Sequence, residues 1–231
     1  MNPMEGNTNE IFYLCEGILL NPNDKTMKDE FNHNRELSFS NIDNCILILE
    51  REVQNWLLAP MSLLIDNDIA NKSKYVPYKN SIFALFGIFS YIEKIQRYKD
   101  GKPYTSGDTQ STTILTYGFK QLFPEDENTQ YGNNKIKKIL ENTRHSLMHS
   151  GNIGDNVLLN NDYENSSPVV YKGSNNNLQK IEIIPYKMKS KIIDDFEIYI
   201  EALREVSNIE LRENFQIVFD EFYNNEISML R

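Results

Sequence analysis

Asn134-Lys135-Ile136-Lys137-Lys138-Ile139-Leu140-Glu141-Asn142-Thr143-Arg144-His145-Ser146-Leu147-Met148-His149-Ser150-Gly151 is the stretch on which the reading of the fold turns. Advancing roughly 100° per residue from Lys138, Ile136, Ile139, Leu140, Thr143 and Leu147 gather on one side, which predicts a core face. Lys138, Asn142, His145 and His149 fall together within about 40° of the opposite direction, facing outward. Arg144 falls between the two faces, nearer the core edge. Gly151 is a natural residue to close the helix, because the left-handed backbone of a helix end costs glycine nothing.

The same three-and-four recurrence appears on either side. Ile42, Cys45, Ile46, Leu49, Val53, Trp56 and Leu57 predict an amphipathic helix that starts at Ser40 or Asn41, either able to cap it, and ends near Pro60. Asn67 to Lys79 reads as a loop. Asn80 to about Tyr98 is apolar nearly all round, which predicts a central helix. A further helix is expected from Asp108 or Ser111 to Pro124, followed by a loop over Glu125 to Gly132. After Gly151 come short alternating pieces, Asn156 to Leu159, Val169 to Tyr171 and Lys180 to Ile184, and then helices over Ile192 to Val206 and Glu210 to about Tyr223. The expected fold is mainly α, with a small β excursion before the penultimate helix. Residues 1–40 form a segment whose apolar runs, Ile11 to Leu14 and Gly17 to Leu20, fit a strand or a short helix equally. Residues 41–231 are expected to form the helical domain.

Composition narrows the function. The chain has 231 residues, 33 acids and 24 bases, for a net charge of −9. Binding nucleic acid by bulk electrostatics calls for a basic protein, so any such contact must come from a local patch. Lys135, Lys137, Lys138 and Arg144 supply one, and Lys187, Lys189 and Lys191 form a second run; each can equally be a solvated face. Two cysteines, Cys15 and Cys45, make no disulfide framework and read as reduced thiols. Met1 to Glu10 has neither the basic nor the apolar part of a signal peptide. Ile82 to Ile92 is too short to span a bilayer. A cytoplasmic protein without membrane contact is expected.

The segment Glu141-Asn142-Thr143-Arg144-His145-Ser146-Leu147-Met148-His149-Ser150-Gly151 resembles the signature of the HEPN superfamily: an Arg, a polar residue, a few more positions, then His. Arg144 and His149 are separated by four residues, His145 takes the polar place, and Ser150-Gly151 follows in a family-like way. The setting, late in a run of apolar helices, is similar to the family's up-and-down bundle, and the resemblance covers about residues 80–206. It implies a metal-independent endoribonuclease without a cofactor, acting as a homodimer whose two motifs share one cleft. His149 would then be the acid/base group, Arg144 the stabiliser of the transition state and His145 the polar positioning partner. Lys138 and Asn142, on the same stripe, are candidates for tracking the RNA backbone. Related ribonucleases often serve in toxin–antitoxin or phage-defence systems, which implies a possible cognate antitoxin protein.

Three other readings stay open. A non-catalytic relative would bind RNA, a nucleotide or a partner protein through the same face. A plain structural or interaction domain would leave the stripe as solvated polar surface near a helix end, where His and Arg favour the dipole. His145 and His149 could chelate zinc, but no Glu follows the first His and His33 is far away in sequence, so no metal is expected. No phosphate-binding glycine loop or nucleophile elbow is present, and Asp194-Asp195 reads as part of a solvated helix face.

Overall fold

The computed structural model describes residues 12–21, 26–70, 79–105, 110–124, 133–160, 168–174 and 177–229. Residues 1–11, 71–78 and 125–132, and Asp108 as a helix start, lie outside the described residues. Helices dominate, and two small sheets accompany them.

The undecided N-terminal segment folds as strands. β1 (Phe12–Cys15), β2 (Ile18–Asn21), β3 (Thr26–Asp29) and β4 (Arg35–Leu37) form an antiparallel sheet in chain order. Alternation explains its place in the molecule. Ile18 and Leu20 on β2, and Met27 on β3, turn the same way and are buried with Cys15. Asp29 is buried too, and both its oxygens accept from Arg51, at 2.7 and 3.0 Å. The fork-to-carboxylate match makes this a directional tie between sheet and helix.

α1 (Ile42–Arg51) starts at Asn41, whose side chain accepts from the Asp43 and Asn44 amides. The helix does not stop near Pro60. It widens into a π-helical stretch, Glu52–Leu58, and continues as α2 (Ala59–Ala70). In a regular helix the Pro60 ring would collide with the carbonyl four residues back. The Ala59 amide instead reaches five back, to Gln54, and this wider turn lets the chain pass the proline without breaking.

α3 (Lys79–Asp100) is the central helix, packed on α2, on α4 (Ser111–Leu122), on α7 (Pro185–Arg204) and on α8 (Ile209–Met229). The Asp68 carboxylate accepts from the Ser81 amide at 2.6 Å, satisfying a donor in its first turn. α7 begins at Pro185, earlier than the apolar pattern alone suggests. Proline suits a first helical position because its missing N–H has no partner to lose there. Asp195, expected in a solvated face, accepts from the Tyr91 hydroxyl at 2.7 Å and pairs with Lys99 at 2.8 Å. Asp194 is exposed.

The second sheet is the expected β excursion: β5 (Val157–Leu159), β6 (Val169–Ser174) and β7 (Asn177–Ile183), with β7 central, parallel to β5 and antiparallel to β6. One hydrophobic core joins the N-terminal strands, the helices and this sheet. Both cysteine thiols are free, buried and pushed up to about 12, chiefly by desolvation. Among the described residues, no helix is long and apolar enough to cross a membrane.

Candidate active site

The motif helix is built in three pieces: α5 (Asn133–Leu140), a π-helical stretch at Glu141–His145, and α6 (Ser146–Ser150). Gly151 closes it at φ 71°, as its position in the sequence suggests. The five residues assigned to the core face, Ile136, Ile139, Leu140, Thr143 and Leu147, are all buried.

The π-helical stretch falls on the motif itself, and three short polar side chains hold it. Asn142 Nδ2 donates to the Lys138 carbonyl at 2.8 Å, Thr143 Oγ1 to that of Ile139 at 2.6 Å, and Ser146 Oγ to that of Glu141 at 3.1 Å. A widened turn disturbs the regular four-residue ladder, and these donors engage main-chain carbonyls around it. Asn142 is therefore tied within the helix, and its own carbonyl accepts from the Gly154 amide at 2.8 Å.

Arg144 and His145, neighbours in the chain, point to different sides of the helix. Arg144 faces α3. It lines a cavity of about 20 Å³ with Phe86, Phe89, Ser90, Glu93, Leu147 and Met148, room for one water-sized group. His145 faces α4 and lines a second, larger groove. The imidazoles of His145 and His149 lie 6.5 Å apart, ring centre to ring centre. His145 is half-buried and His149 exposed. Among the described residues neither imidazole has a hydrogen-bond partner. Lys138 is half-buried on the same helix.

Glu93, which the sequence reading passed over, organises the Arg144 side. Its Oε2 accepts from Arg144 Nη2 at 3.3 Å, and its Oε1 from Arg97 Nη2 at 3.0 Å and Nε at 3.3 Å. Arg97 is only 1% exposed. It donates further to Ser111 Oγ and to the carbonyls of Lys102 and Pro103, and lies 3.8 Å from the Tyr104 ring centre. Burial, then the Glu93 charge, raises the Tyr104 phenol above its ordinary value. Among the described residues one carboxylate thus faces two guanidinium groups. The sequence shows only that Glu93 and Arg97 are four apart on one helix, a spacing that lets them pair.

The second basic run divides. Lys189 is buried, pairs with Asp66 at 2.5 Å and lies 4.9 Å from the Tyr186 ring centre, while Lys191 is exposed. It is a packing element with one solvated lysine, not a continuous basic stripe. Among the described residues no group of three or more His, Cys, Asp or Glu is placed to hold a metal ion.

The arrangement offers a fixed cation beside a small cavity, and two free imidazoles at the end of the same helix. Compared with protein-family models, with curated proteins and with solved structures, the chain matches none of them.

Proposed function

We propose that this chain is a metal-independent endoribonuclease of the HEPN type, with a composite active site formed between two copies. The observation that carries the reading is the anchoring of Arg144. Its Nη2 is held by Glu93 at 3.3 Å, and the guanidinium lines a small cavity while its side chain stays 23% exposed. A guanidinium fixed in this way is suited to stabilising the charge that develops on a phosphate in the transition state.

The reaction follows from the groups. His149 takes the proton of a ribose 2′-hydroxyl, because an imidazole exchanges protons near neutral pH. The 2′-oxygen bonds to the adjacent phosphorus, and the bond from phosphorus to the 5′-oxygen breaks. Arg144 stabilises the non-bridging oxygens, and an imidazolium returns a proton to the leaving oxygen. The products are a 2′,3′-cyclic phosphate and a 5′-hydroxyl. His145 positions the phosphate or its neighbours; Lys138 is the better placed of the two backbone-tracking candidates, since the Asn142 amide is already engaged.

A second copy is proposed to pack on the Arg144 side. Met148, at the cavity rim, is 54% exposed, and Phe83, one turn from Phe86 on α3, is 66% exposed. Apolar surface beside a charged cleft favours a partner that covers the first and shares the second. One observation favours a non-catalytic, RNA- or nucleotide-binding reading: Arg144 already has a carboxylate partner and its side chain is 23% exposed.

Incubation with total cellular RNA in EDTA separates the two. The wild-type protein is expected to cleave, and His149→Ala to lose at least ~100-fold in rate with its circular dichroism unchanged. Equal cleavage by both proteins removes His149 from the mechanism, and no cleavage by either overturns the ribonuclease reading.

A further inference from the structure

The groove on the other side of the motif helix, between α4 and α5, meets the chemistry above only at His145. Its volume is about 870 Å³, within the range of about 300–1,000 Å³ usual for ligand clefts. Tyr117 and Lys120 from α4 line it, with Lys137 and His145 from the motif helix. Both lysines are exposed, and among the described residues neither has an ion-pair partner. The Tyr117 ring is exposed as well. Among the described residues no carboxylate lines the groove, on a chain whose acids outnumber its bases by 33 to 24. The rest of the lining is uncharged: Thr112, Thr113 and their neighbours on the same helix.

From this lining we infer that the groove is a track for single-stranded RNA running away from the cleavage point. The inference rests on the ribonuclease reading and extends it to the substrate's flanking nucleotides. Lys120 from α4 and Lys137 from the motif helix, both in the lining, bind successive phosphates. Tyr117 offers its face to a base; such stacking tolerates any sequence, because every base has a π-face. His145 belongs both to the motif and to this groove, so a strand lying here leads directly to His149, 6.5 Å away between ring centres. A duplex is disfavoured, since its bases are already stacked and unavailable to the tyrosine. An acidic protein segment could also meet two lysines, but it would have no use for a free aromatic face beside them.

The test separates binding from cleavage. A fluorescein-labelled single-stranded RNA of about twelve nucleotides, a length within the usual footprint of such sites, carries 2′-O-methyl groups so that the attacking hydroxyl is blocked. Its affinity is followed by anisotropy from about 50 to about 200 mM salt. The double variant Lys120→Gln/Lys137→Gln is expected to bind with a slope of log affinity against log salt shallower by about 1.4, two phosphate contacts' worth on a single strand. Tyr117→Ala is expected to weaken binding at least about fivefold with the slope kept. Unchanged affinity and slope in both variants overturns the inference, and so does failure of the wild type to bind at low salt, which is the outcome if the groove takes an acidic protein. Cleavage of total RNA is measured alongside. If cleavage persists while the groove variants bind normally, only the groove inference fails. If the oligonucleotide binds through these residues and nothing is cut, the groove stands and the catalytic reading fails.

Discussion

At the scale of single residues, the site depends on a carboxylate that has no place in the motif. Glu93 sits 51 positions before Arg144 and is 6% exposed, against two guanidinium groups. Removing its charge takes from the buried Arg97 a carboxylate that both its Nε and its Nη2 contact. Breaking a buried pair from one side costs about 3–5 kcal/mol, because the remaining charge has lost its compensation. Glu93→Gln is therefore expected to lose about 3 kcal/mol in urea unfolding, and Arg144→Met much less, since Arg144 reaches partly into solvent. Equal losses would mean that Arg144, not Arg97, carries the structural weight of the cluster. Arg144 and His149 could be picked out because the motif is local, all within one and a half turns of helix. Glu93 could not, because its partnership exists only once α3 and the motif helix are side by side.

At the scale of elements, Gly118 is where α4 packs closely on α3. A Cβ on Gly118 would lie 2.9 Å from Ile92 Cγ2, 3.1 Å from Gln96 Cβ and 3.2 Å from the Ile92 carbonyl oxygen. Two effects compete in Gly118→Ala. Helix propensity favours alanine by about 1 kcal/mol. Overpacking costs about 1–3 kcal/mol, and part of the obstruction here is backbone that cannot rotate away. The second wins, and the variant is expected to unfold several degrees lower in a thermal scan. A higher midpoint would show that α4 can slide on α3, and the groove beside the motif would slide with it. The helices were legible because their apolar periods are long: α3, α4 and the core face of the motif helix lie where three-and-four spacing puts them. The β excursion was legible because Val157 and Leu159, and Ile181 and Ile183, alternate into the core. The π-helical stretches were not, since a wheel drawn at constant angle has no place for an extra residue. That is why Pro60 looked like a stop, and why Asn142 looked like a free outward amide. The N-terminal strands were not either. They are three or four residues each, too short for a period to separate strand from helix.

At the scale of the whole molecule, the question is whether the change of character near residue 40 marks a domain boundary or only a change of secondary structure. A detachable segment would bury little against the rest. Here Cys15, Ile18, Leu20 and Met27 are each at most 1% exposed and belong to the same core as the helices. Fully burying an aliphatic side chain of this size is worth about 1.5–3 kcal/mol, so three of them alone account for roughly 5 kcal/mol. That is comparable with the whole stability of an ordinary domain, about 5–15 kcal/mol. Removing the sheet also strips Arg51 of the Asp29 carboxylate that holds both its terminal nitrogens, and it bares the side of the core that these strands cover. A chain of residues 41–231 alone is therefore expected to keep helical signal by circular dichroism but to melt without a cooperative transition. The motif residues are all retained in that chain, and Glu93 with them, so any ribonuclease activity it loses must be lost through the fold. A cooperative transition within a few degrees of the full chain would show instead that the helices are self-sufficient. The sheet would then be an added unit, free to serve a partner while the bundle does the chemistry.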